Sequence, residues 1–340
     1  MRKFVTSALL STLLVSITTT THTLAQEKPL VQPAPAPLVS TYSIVAYDSA
    51  TGRFGAAVQS HWFKVADVIW AEPGVGAVAT QSLADFRYGP LGLQMMRMGK
   101  SASEALDGII ASDPQSRVRQ VAMVNKNSVA AHTGSHCIDE AGDQTGTTPD
   151  GIIYSVQANL MRNATVWPAM AEAFENAEGD LAERMMIALE AAEAEGGDIR
   201  GRQSAALLVV RAETTGQSWR DNVFEVRVDD SPEPLKELRR LLAISRAYEE
   251  MNRGDELIAE NKLDEAGAAY ARAAELSPGN VEILFWHAVT LAGADQLDRA
   301  LPIFKEVFAA DTSWRELIPR LAKAELLPDD EKMIKRILRE

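Results

Sequence analysis

Short apolar runs separated by turn-forming residues dominate the chain from residue 41 to residue 228. Runs of this kind, bounded by Gly, Pro, Asn, Asp or Ser, are typical of β-strands. Two runs flank the turn-rich segment 48–52 and two flank 125–127, which predicts two hairpins. A further strand region is interrupted by Glu72-Pro73-Gly74. The predicted strands are residues 42–47, 54–58, 65–81, 118–124, 129–132, 154–160, 205–210 and 223–228.

Between these strands the apolar residues recur at helical spacing. The predicted helices are residues 91–98, a segment beginning at Ser101, 167–177 and 180–195. Ser101 with Glu104, and Asp180 with Glu183, have the spacing of a capping box at a helix start. Hairpins and helix pairs alternate without a steady βαβ order. The pattern therefore predicts an α+β fold, in which antiparallel sheets carry helices on their outer faces.

From residue 247 the pattern repeats with a period of 34 residues. Units 247–280 and 281–314 align Gly254 with Ala288, Leu257 with Leu291, Ala266 with Ala300, and Tyr270 with Phe304. Small residues where paired helices touch and an aromatic on the second helix resemble the tetratricopeptide repeat. A plain helical hairpin is the alternative. We expect a helical module at 246–340 that packs on the main domain and binds a protein partner through 247–325.

The N-terminal residues predict export. A basic start, an apolar stretch too short to span a bilayer, and small residues before Gln26 are typical of a signal peptide at 1–25. Residues 26–40 contain Pro29, Pro33, Pro35 and Pro37 and predict an extended tether. We therefore expect a periplasmic or secreted protein without a membrane span after cleavage.

The composition of the chain argues against several classes of binding partner and cofactor. A net charge of −13 argues against nucleic acid and anionic membranes, because both attract Lys- and Arg-rich surfaces. Cys137 is the single cysteine, so the chain can form no internal disulfide. No cofactor is expected, because the chain lacks a P-loop and Gly74-Val75-Gly76 leads into a strand pattern where a dinucleotide fingerprint needs a helix.

Two features of the sequence are candidates for a functional site: a polar cluster that could bind a metal, and a threonine that could act as a nucleophile. His132, His136, Cys137, Asp139 and Asp143 lie within twelve residues, but their spacing matches no closed zinc pattern, and a polar loop explains them equally well, so no metal is expected. Thr41 opens the first core strand directly after the tether. A strand-initial Thr with a free α-amine can act as a nucleophile whose own amine is the base.

Several long stretches carry a family resemblance. They are TYSIVAYDSATGRFGAAVQS (41–60), PGVGAVATQS (73–82), YGPLGL (88–93), AAHTGSHCI (130–138), YSVQANLM (154–161), GDIRGRQSAALLVV (197–210) and VRVDDSPEPLKELRRLL (226–242). With them, residues 41–245 resemble the domain of unknown function 1028 family, within the N-terminal-nucleophile (Ntn) hydrolase-like superfamily. The resemblance implies a four-layer αββα sandwich for residues 41–245, which the tetratricopeptide-like module predicted from the repeat follows.

The resemblance also implies a site around Thr41. Gln157 and Asn159 are expected beside Thr41 in the catalytic group, either of them as an oxyanion donor. The expected substrate-binding residues are Gln59, Ser60, Thr80, Gln81, His132, Asp198, Arg200 and Gln203. Each has a structural alternative: Thr41 could be a β-branched strand residue, Gln157 and Asn159 an exposed strand face, and Asp198 with Arg200 a loop ion pair.

The sequence is compatible with two functions. One is an exported amide or peptide hydrolase acting on a small-molecule or peptide substrate, with Thr41 or, as a further alternative, Cys137 as nucleophile. The other is a non-catalytic envelope protein that binds a ligand in the same pocket; a homodimer is left open in either case. Because signal cleavage before Gln26 leaves about fifteen residues ahead of Thr41, the Thr mechanism requires a second cut.

Overall fold

The computed structural model describes residues 37–340, so the predicted signal peptide and the tether up to residue 36 lie outside the described residues. The strands are β1 (Leu38–Val39), β2 (Thr41–Asp48), β3 (Arg53–Ser60), β4 (Ile69–Glu72), β5 (Gly76–Leu83), β6 (Arg119–Asn125), β7 (Ser128–Thr133), β8 (Gly142–Thr147), β9 (Ile152–Ala158), β10 (Ser204–Val210) and β11 (Asn222–Val228). The helices are α1 (Tyr88–Arg97), α2 (Ala102–Ser112), α3 (Val166–Asn176), α4 (Leu181–Ala194), α5 (Ser218–Asp221), α6 (Pro234–Ala259), α7 (Leu263–Leu276), α8 (Val281–Gly293), α9 (Leu297–Ala310), α10 (Ile318–Lys323) and α11 (Glu331–Ile337).

The strands form two sheets whose described pairings are all antiparallel. The first sheet has the order β1-β5-β6-β7, with β4 also paired to β5. The second sheet has the order β11-β10-β3-β2-β9-β8. The predicted α+β class with antiparallel sheets is confirmed.

Alternating side chains along each strand divide the core of this region into three parts. Tyr42 and Ile44 of β2 pack against α3, α4 and α6 on the outer face of the second sheet. Val78 of β5 and Met123 of β6 pack against α1 and α2 on the outer face of the first sheet. Between the sheets, Val45 and its neighbours meet small residues such as those at 77, 79 and 122. By strand alternation Thr41 and Ser43 share this inner face with Val45.

Three segments in the strand regions differ from the predicted elements. Residues Val65–Val68 form a 3-10 turn rather than strand. Strand β8, with the sequence GDQTGT, was not predicted, because it has no apolar alternation. Residues Leu38–Val39, placed in the tether by their proline-rich context, form β1 and pair with Ser82 and Leu83 of β5.

The helical module begins inside a helix shared with the main domain. Helix α6 is one continuous helix of 26 residues, whose first half packs in the outer core of the second sheet and whose second half packs with the repeats. Gly254 lies where the paired helices touch, because a Cβ there would stand 2.6 Å from the Tyr270 ring. The predicted positions of close contact in both repeat units are buried. Among the described residues, no helix is both long and apolar enough to cross a bilayer.

Candidate functional site

Thr41 opens β2 at the point where the chain passes from the first sheet to the second. Its side chain is completely buried, and its backbone pairs with Ser60 of β3. The Thr41 hydroxyl donates a 3.0 Å hydrogen bond to the carbonyl of Val39. In the intact chain the Thr41 hydroxyl is therefore occupied by a residue of β1, two positions before it.

The carbonyl of Ser40, in the peptide bond directly before Thr41, is held by two side-chain donors. The Ser60 hydroxyl donates to this oxygen at 2.5 Å, and Nη2 of Arg200 donates at 2.8 Å. Hydrogen bonds from a hydroxyl and a positively charged guanidinium would stabilise negative charge that develops on this carbonyl oxygen, because both donors are already positioned and one is charged. The oxygen is therefore in an oxyanion-binding environment.

Asp198 fixes the position of Arg200. Its carboxylate accepts from Nε and Nη2 of Arg200 at 3.1 and 2.7 Å and from the backbone N–H groups of Arg200 and His61 at 2.9 and 3.2 Å. The Asp198 side chain is completely buried, while the Arg200 side chain is 26% exposed. The ion pair, which is the structural alternative for these two residues, is present, and it places the guanidinium at the carbonyl of the bond before Thr41.

A buried amide network lies beside Thr41 between the sheets. Nε2 of Gln81 donates to the carbonyl of Thr41 at 3.1 Å and to Oε1 of Gln120 at 2.6 Å. Nδ2 of Asn159 donates to the same Gln120 oxygen at 2.9 Å, and the Asn159 backbone N–H donates to the Thr41 carbonyl. Ser43 joins the network, accepting from Nε2 of Gln157 at 2.6 Å.

Backbone carbonyls determine the orientation of these amides. Nε2 of Gln120 donates to the carbonyls of Ala158 and Gly142, so its oxygen must face Gln81 and Asn159. Nδ2 of Asn159 then donates to Gln120, and Oδ1 of Asn159 is buried without a hydrogen-bond partner among the described residues. Gln157 and Asn159 thus donate within the network, whereas Ser60 and Arg200 donate to the Ser40 carbonyl.

Four of the expected residues point elsewhere. Gln59 and Thr80 are buried, but by strand alternation they lie on the outer faces of their sheets, opposite to their neighbours Ser60 and Gln81. His132 is also on an outer face, where Nε2 meets the carbonyl of Ser116 at 2.9 Å. Nε2 of Gln203 contacts the carboxylate of Asp230, although its backbone N–H donates to the Ser60 carbonyl.

Cys137 and its polar neighbours do not form a recognisable reactive centre. The Cys137 thiol donates to the carbonyl of Arg119 at 3.3 Å, and burial raises the pKa of the thiol. A raised pKa disfavours the thiolate, which is the nucleophilic form. Within residues 37–340 no group of three or more His, Cys, Asp or Glu side chains could hold a metal ion.

Sequence reasoning missed Ser40, Ser43 and Gln120. Ser40 belonged to the predicted tether, and Gln120 belonged to a strand noted only for its apolar residues. Two non-glycine residues beside the network adopt the left-handed backbone region: Ser82 with φ 69° and Leu160 with φ 58°. Such conformations cost free energy and concentrate at functional sites.

Comparison with known proteins covers most of the chain. Residues 41–238 match a family model described as a family of unknown function, DUF1028, and residues 257–318 match a tetratricopeptide repeat model. A crystal structure of a protein from Silicibacter pomeroyi, assigned to the first of these families, is 28% identical with a TM-score of 0.52. The alignment covers 60% of this chain and 88% of that one. The search of curated proteins gives no match.

Proposed function

This chain belongs to the DUF1028 family, whose function is unknown, and from that premise we propose a function. We propose that the protein is an exported amide or peptide hydrolase of the N-terminal-nucleophile type. Thr41 is the nucleophile, and it becomes active when the Ser40–Thr41 peptide bond is cut. The family match begins at Thr41, which is consistent with this position as the start of the active chain.

The observation that carries the proposal is the pair of donors on the Ser40 carbonyl. In the proposed cut, the Thr41 hydroxyl attacks the Ser40 carbonyl carbon and loses its proton. The carbonyl oxygen becomes an oxyanion between Ser60 and Arg200. Its collapse breaks the C–N bond, the Thr41 nitrogen takes up the proton, and an ester joins Ser40 to the Thr41 oxygen. Water then hydrolyses the ester, leaving a Ser40 carboxylate and a free Thr41 amine.

The same groups can serve the next reaction. The Thr41 carbonyl stays fixed by the Asn159 backbone N–H and by Gln81, so the freed residue keeps its position. The new α-amine has an ordinary pKa of about 7.7–8.0, so near neutral pH a larger fraction of it is unprotonated, and able to act as the base for the hydroxyl, than would be the case for a lysine. A substrate carbonyl in the place of the Ser40 carbonyl would meet the same two donors. The acyl–enzyme ester would then be hydrolysed as before.

The fold and the N-terminal sequence add support. Two facing antiparallel sheets with helices on both outer faces, and Thr41 on the inner face at a strand start, agree with the αββα architecture of Ntn hydrolases. The signal-like residues 1–25 support export to the periplasm or the exterior. The tetratricopeptide-like repeats suggest protein interaction, so the hydrolase would be recruited to a protein partner.

The test is the N-terminus of the purified protein. Expressed with its own leader, the wild type should give an intact mass that begins at Thr41. The Thr41→Ala variant should retain Ser40 and the residues before it, because alanine has no hydroxyl that could attack the Ser40 carbonyl. Thr41→Ser is the matched control and should be cut. Cleavage of Thr41→Ala at the same bond, or a wild type that starts at Gln26 and still hydrolyses amides, would overturn the proposal.

One observation favours the second candidate, a non-catalytic envelope binding protein. In the intact chain Thr41 has no exposed surface, and its hydroxyl is bonded to the carbonyl of Val39 in β1. A chain that keeps residues 37–40 would have no free Thr41 amine, so the same pocket would bind a ligand without catalysis and the repeats would bind a protein partner. An uncut wild-type chain without amide hydrolysis in the same experiment is the result this candidate expects.

A further inference from the structure

We propose that the cut protein binds an extended peptide as an added strand along the end of β5, in the place of residues 37–40. The peptide would carry a small residue before the cleaved bond and a compact apolar residue one position earlier. This inference rests on the proposed function and adds its substrate class. Residues 37–40 show how such a peptide would bind, because the Ser40 carbonyl is the first carbonyl that Thr41 attacks in the proposed mechanism.

The backbone of β5 provides the strand-binding edge. Leu38 and Val39 pair antiparallel with Leu83 and Ser82, and the Ala84 N–H donates to the Pro37 carbonyl at 3.0 Å. Departure of residues 37–40 leaves the Ala84 N–H unpaired and the pairing edge at Ser82 and Leu83 without its partner. Strand addition to such an edge supplies main-chain hydrogen bonds that are independent of the peptide's side chains.

The side chain of Val39 defines the second position before the cut. Val39 is completely buried within the apolar cluster between the sheets, which also contains Val58, Val65 and Ala84. Its departure leaves an apolar cavity of about one valine side chain. A charged residue in that cavity would lose its hydration without gaining a described ionic partner.

Ser40 defines the position directly before the cut. It is completely buried, so a large side chain has no room there. Its hydroxyl has no hydrogen-bond partner among the described residues, so alanine should fit at least as well as serine. Leu38, one residue beyond Val39, is 36% exposed, and the slot therefore opens to solvent and tolerates a range of residues at that position.

The experiment uses purified protein whose intact mass begins at Thr41, with fluorogenic peptides that end in a coumarin amide. The parent is acetyl-Pro-Leu-Val-Ser-amidomethylcoumarin, and four relatives each change one residue. Replacing Val by Asp, or Ser by Trp, should lower kcat/KM by about 30-fold or more. Replacing Ser by Ala should preserve or raise it. Replacing Leu by Lys is the matched control and should change it by less than about threefold, because that side chain faces solvent.

The outcomes separate the two proposals. A purified chain that keeps its residues before Thr41 overturns both. A chain cut at Thr41 that hydrolyses none of the five peptides, or all of them at similar rates, overturns only the strand-binding inference. The predicted order of rates supports both, and a selective loss with Lys in the Leu position would show that the peptide does not follow the path of residues 37–40.

Discussion

Arg200 is the residue whose role is most directly open to test. Its guanidinium contacts the Ser40 carbonyl, and its position depends on a fully buried carboxylate. Arg202, two positions later, instead pairs with Glu193 and Glu233 on the outer side. The two arginines therefore provide a functional variant and a matched control of the same type.

We predict that Arg200→Gln slows the cut before Thr41 by roughly 10²–10³-fold, since loss of one oxyanion donor typically has this effect. Arg202→Gln should be cut at the wild-type rate. The measurement is the fraction of cut chain, determined by intact mass at successive times after a pulse of synthesis. Equal rates of cleavage before Thr41 in the two variants would show that Arg200 does not contribute to the reaction.

The expected site residues also show what a single sequence can specify. Gln59 and Ser60, like Thr80 and Gln81, are adjacent on a strand, so only one of each pair can face Thr41. The period of two predicts this exclusion, but it does not predict which residue faces inward. The choice depends on which face of each sheet meets the other sheet, and that is determined by packing between segments distant in sequence.

At the scale of elements, most strands and helices followed from local pattern. The capping box at Ser101 and Glu104 is present, with both reciprocal hydrogen bonds. Strand β8 escaped prediction because its polar sequence forms a strand only through pairing with β9. Strand β1 escaped for a related reason: two residues carry no periodicity, and their pairing with β5 is a tertiary contact.

Helix α8 carries a partly buried histidine, His287, whose environment predicts that the stability of the repeats depends on pH. The ring of His287 stacks on Tyr270, with centroids 3.8 Å apart and planes within 9°. Burial, followed by the positive charge of Arg299, lowers the pKa of His287 to about 4. The folded protein thus favours the neutral ring, whereas the unfolded chain protonates it near pH 6.5.

We predict that this contribution to stability is complete above about pH 6.5, declines as the pH falls from 6.5 toward 4, and levels off below that value. His287→Phe keeps an aromatic ring that cannot take up a proton. The free energy of unfolding, measured for both proteins from pH 7 to pH 4, should shift in favour of the variant by at most about 3 kcal/mol. A difference that stays constant with pH would contradict the shifted pKa.

For the whole molecule, the main question is whether the domain and the repeats unfold together. Helix α6 contributes Leu238 and Leu242 to the core of the main domain, and Leu257 and Ile258 to the core of the repeats. Between these groups, Arg246 donates to the Asp180 carboxylate through both of its terminal nitrogens at 2.7 Å, which joins α6 to the start of α4. The two cores are therefore connected by a helix rather than by a flexible linker.

We predict a single cooperative transition in calorimetry for the wild type, and two for Ser245→Pro. Proline in a helix interior removes a backbone hydrogen bond and costs about 3 kcal/mol, which would uncouple the two halves of α6. Ser245→Ala is the control and should keep one transition. Two transitions in the wild type would show that the continuous helix does not transmit stability between the cores.

The unbroken helix has a geometric consequence as well. Its 26 residues extend about 39 Å, from the edge of the second sheet into the repeats. A protein bound by the repeats would lie at a fixed distance and orientation relative to Thr41, because the continuous helix is rigid. Under the proposed hydrolase function, the length of α6 would then determine which bond of a bound partner reaches Thr41, so that the choice of target depends on spacing as much as on sequence.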